Sequence, residues 1–342
     1  MVESRIVAED RLLSIATNLL RALDVPEDHA RRAASILVTA DLRGVTSHGV
    51  RLLGWNMRRI MGGGVNPRAT IREVSNAGAV VILDGDSGLG MSVGSVAMDR
   101  AIDIARQFGV GWVMARNSNH YGASGSFALM ALEAGMIGIS ISNCGPMMTI
   151  EGTNERAVGN NPFAIAIPTP DFPLVLDMAT SVASIGRIGL TRRAGKPVPP
   201  EWLVQEKDAT GRMVLRHFGG PKGSGLAIMT EALTSVLAGG SVLHEIRFDR
   251  DRIEPQGVSH TQIAVNPAAI LPDGAFAEHA KRMVDELHAA PPAHGVEEIL
   301  LPGERAWRET CKHRAEGIPI EPDTVQRLEE LGTELGVSIE WD

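Results

Sequence analysis

The chain has 342 residues, 44% of them hydrophobic, and a formal charge of −8 at pH 7 with the signs interspersed rather than in blocks. That length buries a full core and fits two or three domains; the apolar content excludes a disordered chain, and the acidic balance argues against a nucleic-acid or other polyanionic partner. Cys144 and Cys311 stand far apart with no CxxC spacing, which points to free thiols in a reducing compartment.

The opening residues carry charges and no apolar h-region, so no signal peptide is expected. No apolar run is long enough to span a bilayer, and a soluble cytoplasmic protein follows. Leu12, Ile15, Ala16, Leu19, Leu20 and Leu23 form one apolar helical face. Asp24-Val25-Pro26 breaks it, with Pro26 suited to the first turn of a second helix through Ala33, Ile36, Leu37 and Ala40. Arg43-Gly44-Val45-Thr46-Ser47 is a polar restart in which Thr46 or Ser47 is a plausible N-cap. After a Gly-rich loop at 62–67 the period changes. A buried-type strand at 79–83, a helix over 91–107 and a strand at 110–115 predict a parallel βαβ unit. A helix over 123–133 and a strand from Ile137 repeat the alternation.

Residues 117–181 hold three strand-length apolar runs, at 137–141, 163–167 and 174–176. Each empties into small, polar, Gly-rich residues, where open α/β sheets place their ligands. The stretch 192–216 has little regularity and is rich in Lys, Arg, Pro and Gly. A helix over 223–237 carries Leu226, Met229, Leu233 and Val236 on one face; a short strand at 262–265 and a helix over 276–287 follow. A C-terminal helical part from Leu301 ends with Val325, Leu328 and Leu331 on the last helix.

Gly85-Asp86-Ser87-Gly88-Leu89-Gly90 lies between a strand and a helix, but its spacing is GxxGxG rather than GxGxxG, so it reads as a tight turn and not a dinucleotide fingerprint. Lys222 has no glycine five residues before it, and Gly223 rather than Ser or Thr after it, so the Walker pattern fails. A cation at a Gly-rich helix start remains, a sound phosphate holder. Asp177-Met178-Ala179-Thr180-Ser181 reads either as an N-capped helix start or as a cofactor turn. Among ten histidines, His48 stands between Ser47 and Gly49 near an expected helix start, and His120 closes a polar strand exit after Asn119. Both settings suit a group that meets a substrate, and neutral imidazole is a natural proton acceptor near neutral pH. His29, His217, His244, His279, His288, His294 and His313 read as surface residues. There is no HExxH or Cys/His cluster, so no metal site is expected.

These motifs, with Gly152-Thr153, Gly159-Asn160-Asn161-Pro162, Gly220-Pro221-Lys222-Gly223-Ser224, Leu301-Pro302-Gly303-Glu304-Arg305 and Gly317-Ile318-Pro319, occur in one order over almost the whole chain. In that order they resemble the malate/L-lactate dehydrogenase type 2 oxidoreductases, whose members include ureidoglycolate, sulfolactate and diketogulonate dehydrogenases and cyclic-imine reductases. The resemblance implies an α/β fold with a non-Rossmann NAD(P)-binding sheet, a helical part over 1–74 completed by 304–342, and an α/β part over 75–303. It implies a homodimer whose active site lies near the subunit interface. It also implies NAD or NADP as cofactor and a small 2-hydroxy or 2-oxo acid as substrate, with a cyclic imine carboxylate as the alternative.

By the same resemblance His48 and His120 serve proton transfer, either being the acid/base, and Ser47 and Asn119 accompany the substrate. Asp177, Met178, Ala179, Thr180, Ser181, Lys222, Gly223, Gly303, Glu304 and Arg305 hold the cofactor. The family's substrate arginine falls four residues after the first histidine, where this chain has Leu52. Arg51 keeps the same helical face and either replaces it or is a surface residue. Cys144 departs from the family on the expected substrate side, and Tyr121 reads as a packing residue. A catalytically silent nicotinamide-binding relative is the rival reading, and retention of both histidines favours the enzyme. A Ser47/His48 hydrolase is disfavoured because adjacent residues do not supply nucleophile–base geometry and no GxSxG elbow occurs.

Overall fold

The computed structural model describes residues 3–247 and 253–341. Strand β1 (Arg5–Val7) leads into helices α1 (Glu9–Arg21) and α2 (Glu27–Leu42). Glu9 and Asp10 open α1 and Arg21 closes it, each opposing the helix dipole, and the predicted stripe from Leu12 to Leu20 is buried. Pro26 stands at the N-cap of α2, one residue before its first turn. The polar restart departs from expectation, because neither Thr46 nor Ser47 caps a helix. Thr46–His48 and Val50–Leu52 are single 3-10 turns without side-chain caps, and α3 (Leu53–Met61) starts later. Gly49 is extended between the turns (φ −83°, ψ −156°), which aims the Val50 N–H at the Asp41 carboxylate instead of along a helix.

An edge strand β2 (Arg72–Asn76) precedes β3 (Val80–Asp84), α4 (Gly90–Phe108) and β4 (Val110–Ser118). The β3–β4 pair is parallel, as the βαβ pattern predicts. Then come α5 (Ser124–Glu133), β5 (Ile137–Ser142), β6 (Phe163–Ile167), β7 (Leu174–Met178) and α6 (Ile185–Arg193). The last starts beyond Thr180 and Ser181, because Ser184 supplies the cap by accepting from the Arg187 N–H at 3.2 Å. The irregular stretch holds the short pair β8 (Leu203–Gln205) and β9 (Val214–Leu215). Helix α7 (Pro221–Glu231) runs on through a π-helical turn, Ala232–Val236. The chain ends with β10 (Val258–Val265), α8 (Ala275–His288), α9 (Glu304–Glu316), β11 (Ile318–Ile320) and α10 (Pro322–Leu335).

The main sheet is seven-stranded, in the order β2-β3-β4-β10-β5-β6-β7. The alternation continues from β4 through α5 to β5, and β10 lies between those two strands, antiparallel to both. Strands β5, β6 and β7 then run antiparallel in turn. Only the last half of β10 carries an apolar pattern; the rest, Val258 to Thr261, is buried polar strand. Helices α4 and α5 cover one face of the sheet beneath α2, and the π-helical turn after α7 covers β10 from the other. One continuous apolar core joins α1, α2, α4, β3 and β4 to Val325, Leu328 and Leu331 of α10. A separate cluster around Met148, Ile188, Leu203 and Leu215 packs the irregular stretch. The chain ends meet in the antiparallel pair of β1 with β11.

His260, in the middle of β10, is fully buried. Its Nε2 lies 2.8 Å from Ser118 Oγ and its Nδ1 3.1 Å from Ser142 Oγ, so it ties β4 to β5 through β10. Its ring stacks on Tyr121 at 4.4 Å. Burial pushes its pKa down to about 3. The unfolded chain therefore takes up this proton below its ordinary pKa, near 6.5, while the folded chain refuses it down to about 3. Stability contributed by this site falls as pH drops through that window. His260→Gln is expected to flatten the dependence of unfolding free energy on pH between 4 and 6 by up to about 1.4 kcal/mol per pH unit, read by urea unfolding; an unchanged slope counts against a neutral His260.

Candidate active site

The site begins with a buried carboxylate. Asp41, near the end of α2, is 3% exposed, and its Oδ2 accepts the Val50 N–H at 2.7 Å. Desolvation raises its pKa to about 7. The turn comes so close that a Cβ on Gly49 would lie 1.8 Å from Asp41 Oδ1. This contact holds Ser47-His48-Gly49-Val50 against α2 with the His48 ring half-buried. Ser47 Oγ lies 2.9 Å from His48 Nδ1.

The second histidine arrives from the exit of β4. The His48 and His120 ring centroids are 6.2 Å apart, with planes 23° from parallel. Trp55 of α3 meets His120 edge-on at 5.5 Å. The His120 main-chain N–H donates to Gln256 Oε1 at 2.8 Å. A Cβ on Gly90, at the start of α4, would lie 2.1 Å from the Asn119 carbonyl oxygen, so the strand exit rests directly on that helix. The loop before it is the tight turn expected, with Asp86 (φ 50°) and Ser87 (φ 55°) in the left-handed region.

Several side chains named from the sequence have other duties. The Asn119 carboxamide is 1% exposed, accepts from Arg59 Nη2 at 2.9 Å and the Gln256 N–H at 3.2 Å, and donates to the Ser87 and Gly88 carbonyls. It is a scaffold residue beside His120 rather than an open substrate ligand. Arg51 is held by Glu321 at 3.5 Å and Asp323 at 3.2 Å, on the side facing α10. Cys144 is buried, with Sγ donating to Asn160 Oδ1, and burial pushes its thiol up to about 12, so it faces the protein rather than a substrate. Tyr121 packs as expected, between Phe127 and His260, and burial raises its pKa. His217 and His313 are not surface residues: their side chains are 12% and 8% exposed. His313 Nδ1 donates to the Leu42 carbonyl.

On the other side lie the residues named for the cofactor. Asp177, near the end of β7, accepts the Gly125 N–H at 3.0 Å; desolvation of its carboxylate raises the pKa, and that N–H and then Arg43 offset the rise. Met178 and Ala179 are half-buried. Thr180 Oγ1 donates to the Asn160 carbonyl and Ser181 Oγ to the Ala183 carbonyl, because the segment is an extended crossing rather than a helix start. Ser181 bridges to His217. Beyond it, Gly219 (φ 58°) and Gly220 (φ 59°) turn the chain into α7, with Lys222 exposed in its first turn. Gly223 is required by packing, since a Cβ would lie 2.2 Å from the Phe218 carbonyl oxygen. A Cβ on Gly186 of α6 would lie 3.0 Å from Ser47 Cβ, so the segment after β7 touches the His48 turn.

Gly303 (φ 86°) lies at the opposite end of β7, where the Val175 N–H donates to the Pro302 carbonyl, about 10 Å along the strand from Met178. Glu304 is buried and bound to His288, Arg308 and the Leu301 N–H, so it closes the start of α9 rather than meeting a ligand. Of that group Arg305 alone is exposed. Among the described residues no cluster of His, Cys, Asp or Glu is placed to hold a metal ion. Trp55 and Gln256 carry no local sequence signal for the site, whereas Arg59 is a charge on the buried face of the amphipathic α3.

The order of these site segments and the mixed sheet have a counterpart among known proteins. The profile of the malate/L-lactate dehydrogenase family matches residues 7–329. The chain belongs to that family. It is 37% identical to a malate dehydrogenase of Pyrococcus horikoshii over 97% of this chain and 96% of that one. It is 31% identical to the NAD(+) ureidoglycolate dehydrogenase of Escherichia coli over 94% of each. A solved structure of malate dehydrogenase from Pyrococcus horikoshii superposes with a TM-score of 0.89 at 35% identity, covering 99% of this chain and all of the other. The chain is thus a member of a dehydrogenase family with a mixed, non-Rossmann sheet.

The Asp41–Gly49 contact yields a direct check. Gly49→Ala drives a methyl group into a buried carboxylate, and overpacking of this kind costs about 1–3 kcal/mol. Urea unfolding should show that loss, and Gly49→Ala combined with Asp41→Ala should recover part of it. No loss in the single variant would mean that the turn does not rest on Asp41.

Proposed function

We propose that the chain is a NAD(P)-dependent oxidoreductase acting between a small 2-hydroxy acid and its 2-oxo acid, with His48 and His120 handling the proton. The observation that carries this is the facing pair of half-buried imidazoles, with Ser47 beside His48 lying against Gly186 in the segment that follows β7. The residues present fit a dinucleotide: an exposed lysine stands at the start of an 11-residue helix behind two left-handed glycines, and the helix end favours anionic phosphate. Lys222 and the backbone of 177–181 and 219–223 would hold it, with Arg305 as an outlying cation; bound nicotinamide supplies the hydride chemistry.

The chain's own residues then manage the substrate oxygen. In oxidation the hydroxyl proton passes to a neutral imidazole, and in reduction the same nitrogen returns a proton to the carbonyl oxygen. Ser47 Oγ on His48 Nδ1 orients that ring toward the second imidazole. The edge of Trp55 and the hydrogen bond at the His120 main chain set the second ring. One imidazole moves the proton and the other positions the oxygen. The same donor serves an imine nitrogen. That second reading draws on a solved Δ1-piperideine-2-carboxylate reductase from Pseudomonas syringae, which superposes with a TM-score of 0.83 at 26% identity over 95% of this chain and 99% of that one.

Two free cysteines, Cys144 and Cys311, suit a reducing cytoplasm, and no helix among the described residues is long and apolar enough to cross a membrane. A homodimer is supported by Ile228, Met229, Leu233, Val236 and Leu237, which leave an apolar stretch exposed along α7 and its π-turn. Light scattering should give twice the chain mass, and Val236→Glu should shift the protein toward monomer; a monomeric parent at micromolar concentration overturns the dimer.

The reaction is tested by following nicotinamide absorbance with NADH and NADPH against a panel of 2-oxo acids and cyclic imine carboxylates. His48→Asn and His120→Asn should each lower kcat/KM. The variant lacking the acid/base should lose about 10²–10⁴-fold in kcat together with the titration in its pH profile, and the other should mainly raise KM. Two variants with parental kcat would exclude both histidines from proton transfer.

A further inference from the structure

Arg59 is a guanidinium buried against Trp55 with no counter-charge among the described residues. It lies on α3 four residues after Trp55, is 2% exposed, and forms no ion pair among the described residues. Its Cζ sits 5.1 Å from the centre of the Trp55 ring, which meets His120 edge to face. Nη2 alone is provided for: it donates to Asn119 Oδ1 at 2.9 Å, the Glu254 carbonyl at 2.9 Å and the Gly64 carbonyl at 3.2 Å. Nε and Nη1 are buried with no hydrogen-bond partner among the described residues. Desolvation pulls its pKa down to about 10, the direction of a cation lacking compensation.

A purely structural arginine normally satisfies its donors or pairs with a carboxylate, since an uncompensated buried charge is among the most destabilising features a fold can hold. Here one nitrogen anchors the guanidinium on neutral oxygens, and a planar, charged donor set is left over the Trp55 ring, whose other neighbour is His120. The anchoring is tight, because Asn119 is the residue before His120 and Gln256 binds both. Arg51, the arginine nearest the family's usual position, is already held by two carboxylates.

We propose that Arg59 is the residue that receives the carboxylate of the substrate, setting the 2-oxo group against the His48–His120 pair and making the enzyme selective for acids. The assignment rests on the oxidoreductase reading above. A carboxylate oxygen at Nη1 gives the cation its missing counter-charge through a charge-assisted hydrogen bond.

The test measures kcat/KM for 2-oxo acids, each beside its 1-methyl ester, in the parent, Arg59→Gln and Arg59→Lys. Losing a buried charged partner should lower kcat/KM on acids by about 10²–10³-fold in Arg59→Gln, with esters changed less than about threefold, so that the acid preference collapses. Arg59→Lys keeps the charge but not the planar donors and should retain part of the preference; it carries the comparison if Arg59→Gln melts early. Equal losses on acid and ester in the folded variant would make Arg59 a structural residue and overturn the proposal while leaving the reaction intact. Calorimetric titration with oxamate, with and without NADH, separates the two readings. If the parent reduces no 2-oxo acid, the reaction assignment fails. Oxamate binding that weakens in Arg59→Gln then still supports a carboxylate site, and absent or unchanged binding removes it.

Discussion

The insertion of β10 between β4 and β5 is the constraint on which the other arrangements depend. It pairs antiparallel with both neighbours and joins β2-β3-β4, which delivers His120, to β5-β6-β7, which delivers Asp177. The side chains of His260 and Thr261 tie it to its surroundings. His260 reaches Ser118 on one side and Ser142 on the other, and Thr261 donates to the Leu233 carbonyl beneath the sheet. Buried polar groups are tolerable only when their partners are in place, so these contacts specify β10 at this position more sharply than an all-apolar strand would.

The same logic shapes the site. Segments that carry the imidazoles are held from behind by buried polar groups rather than by apolar packing. Asp41 holds the His48 turn through a backbone N–H, and Asn119 with Gln256 holds the strand exit at His120. Each holder is nearly inaccessible to solvent. Removing water from a carboxylate and a guanidinium disfavours their charged forms, which is the direction seen for Asp41 and Arg59. The fold accepts that cost in return for imidazoles whose orientation does not depend on flexible surface side chains.

On the facing side the cofactor candidates do not form one continuous motif. The segment after β7 and the start of α7 are brought together by the Ser181–His217 bridge, and the close approach of Gly186 to Ser47 joins them to the His48 turn. The 303–305 turn stands at the other end of β7. An elongated ligand bound across these places would contact mostly backbone, because the Thr180 and Ser181 hydroxyls already donate to carbonyls. A site of that kind leaves little side-chain signature in the sequence.

What the sequence determined alone was local. The apolar stripes of α1 and α2, the βαβ unit and the runs that become β5, β6 and β7 follow from residue periodicity, which needs no distant partner. His48 and His120 stood out because small and polar residues surround them at chain turns, and the order of motifs identified the family. Tertiary structure decided the rest. Gly49 is a glycine because Asp41 lies against it, and Asn119 and Arg51 turned to partners 60 and more residues away in the chain. Nothing near Val258 announces that a polar strand will be central, and nothing near Arg59 announces that its donors will be left beside Trp55. Such facts arise from long-range juxtaposition, where burial and the absence of a partner, rather than residue type, set the energy of a charge.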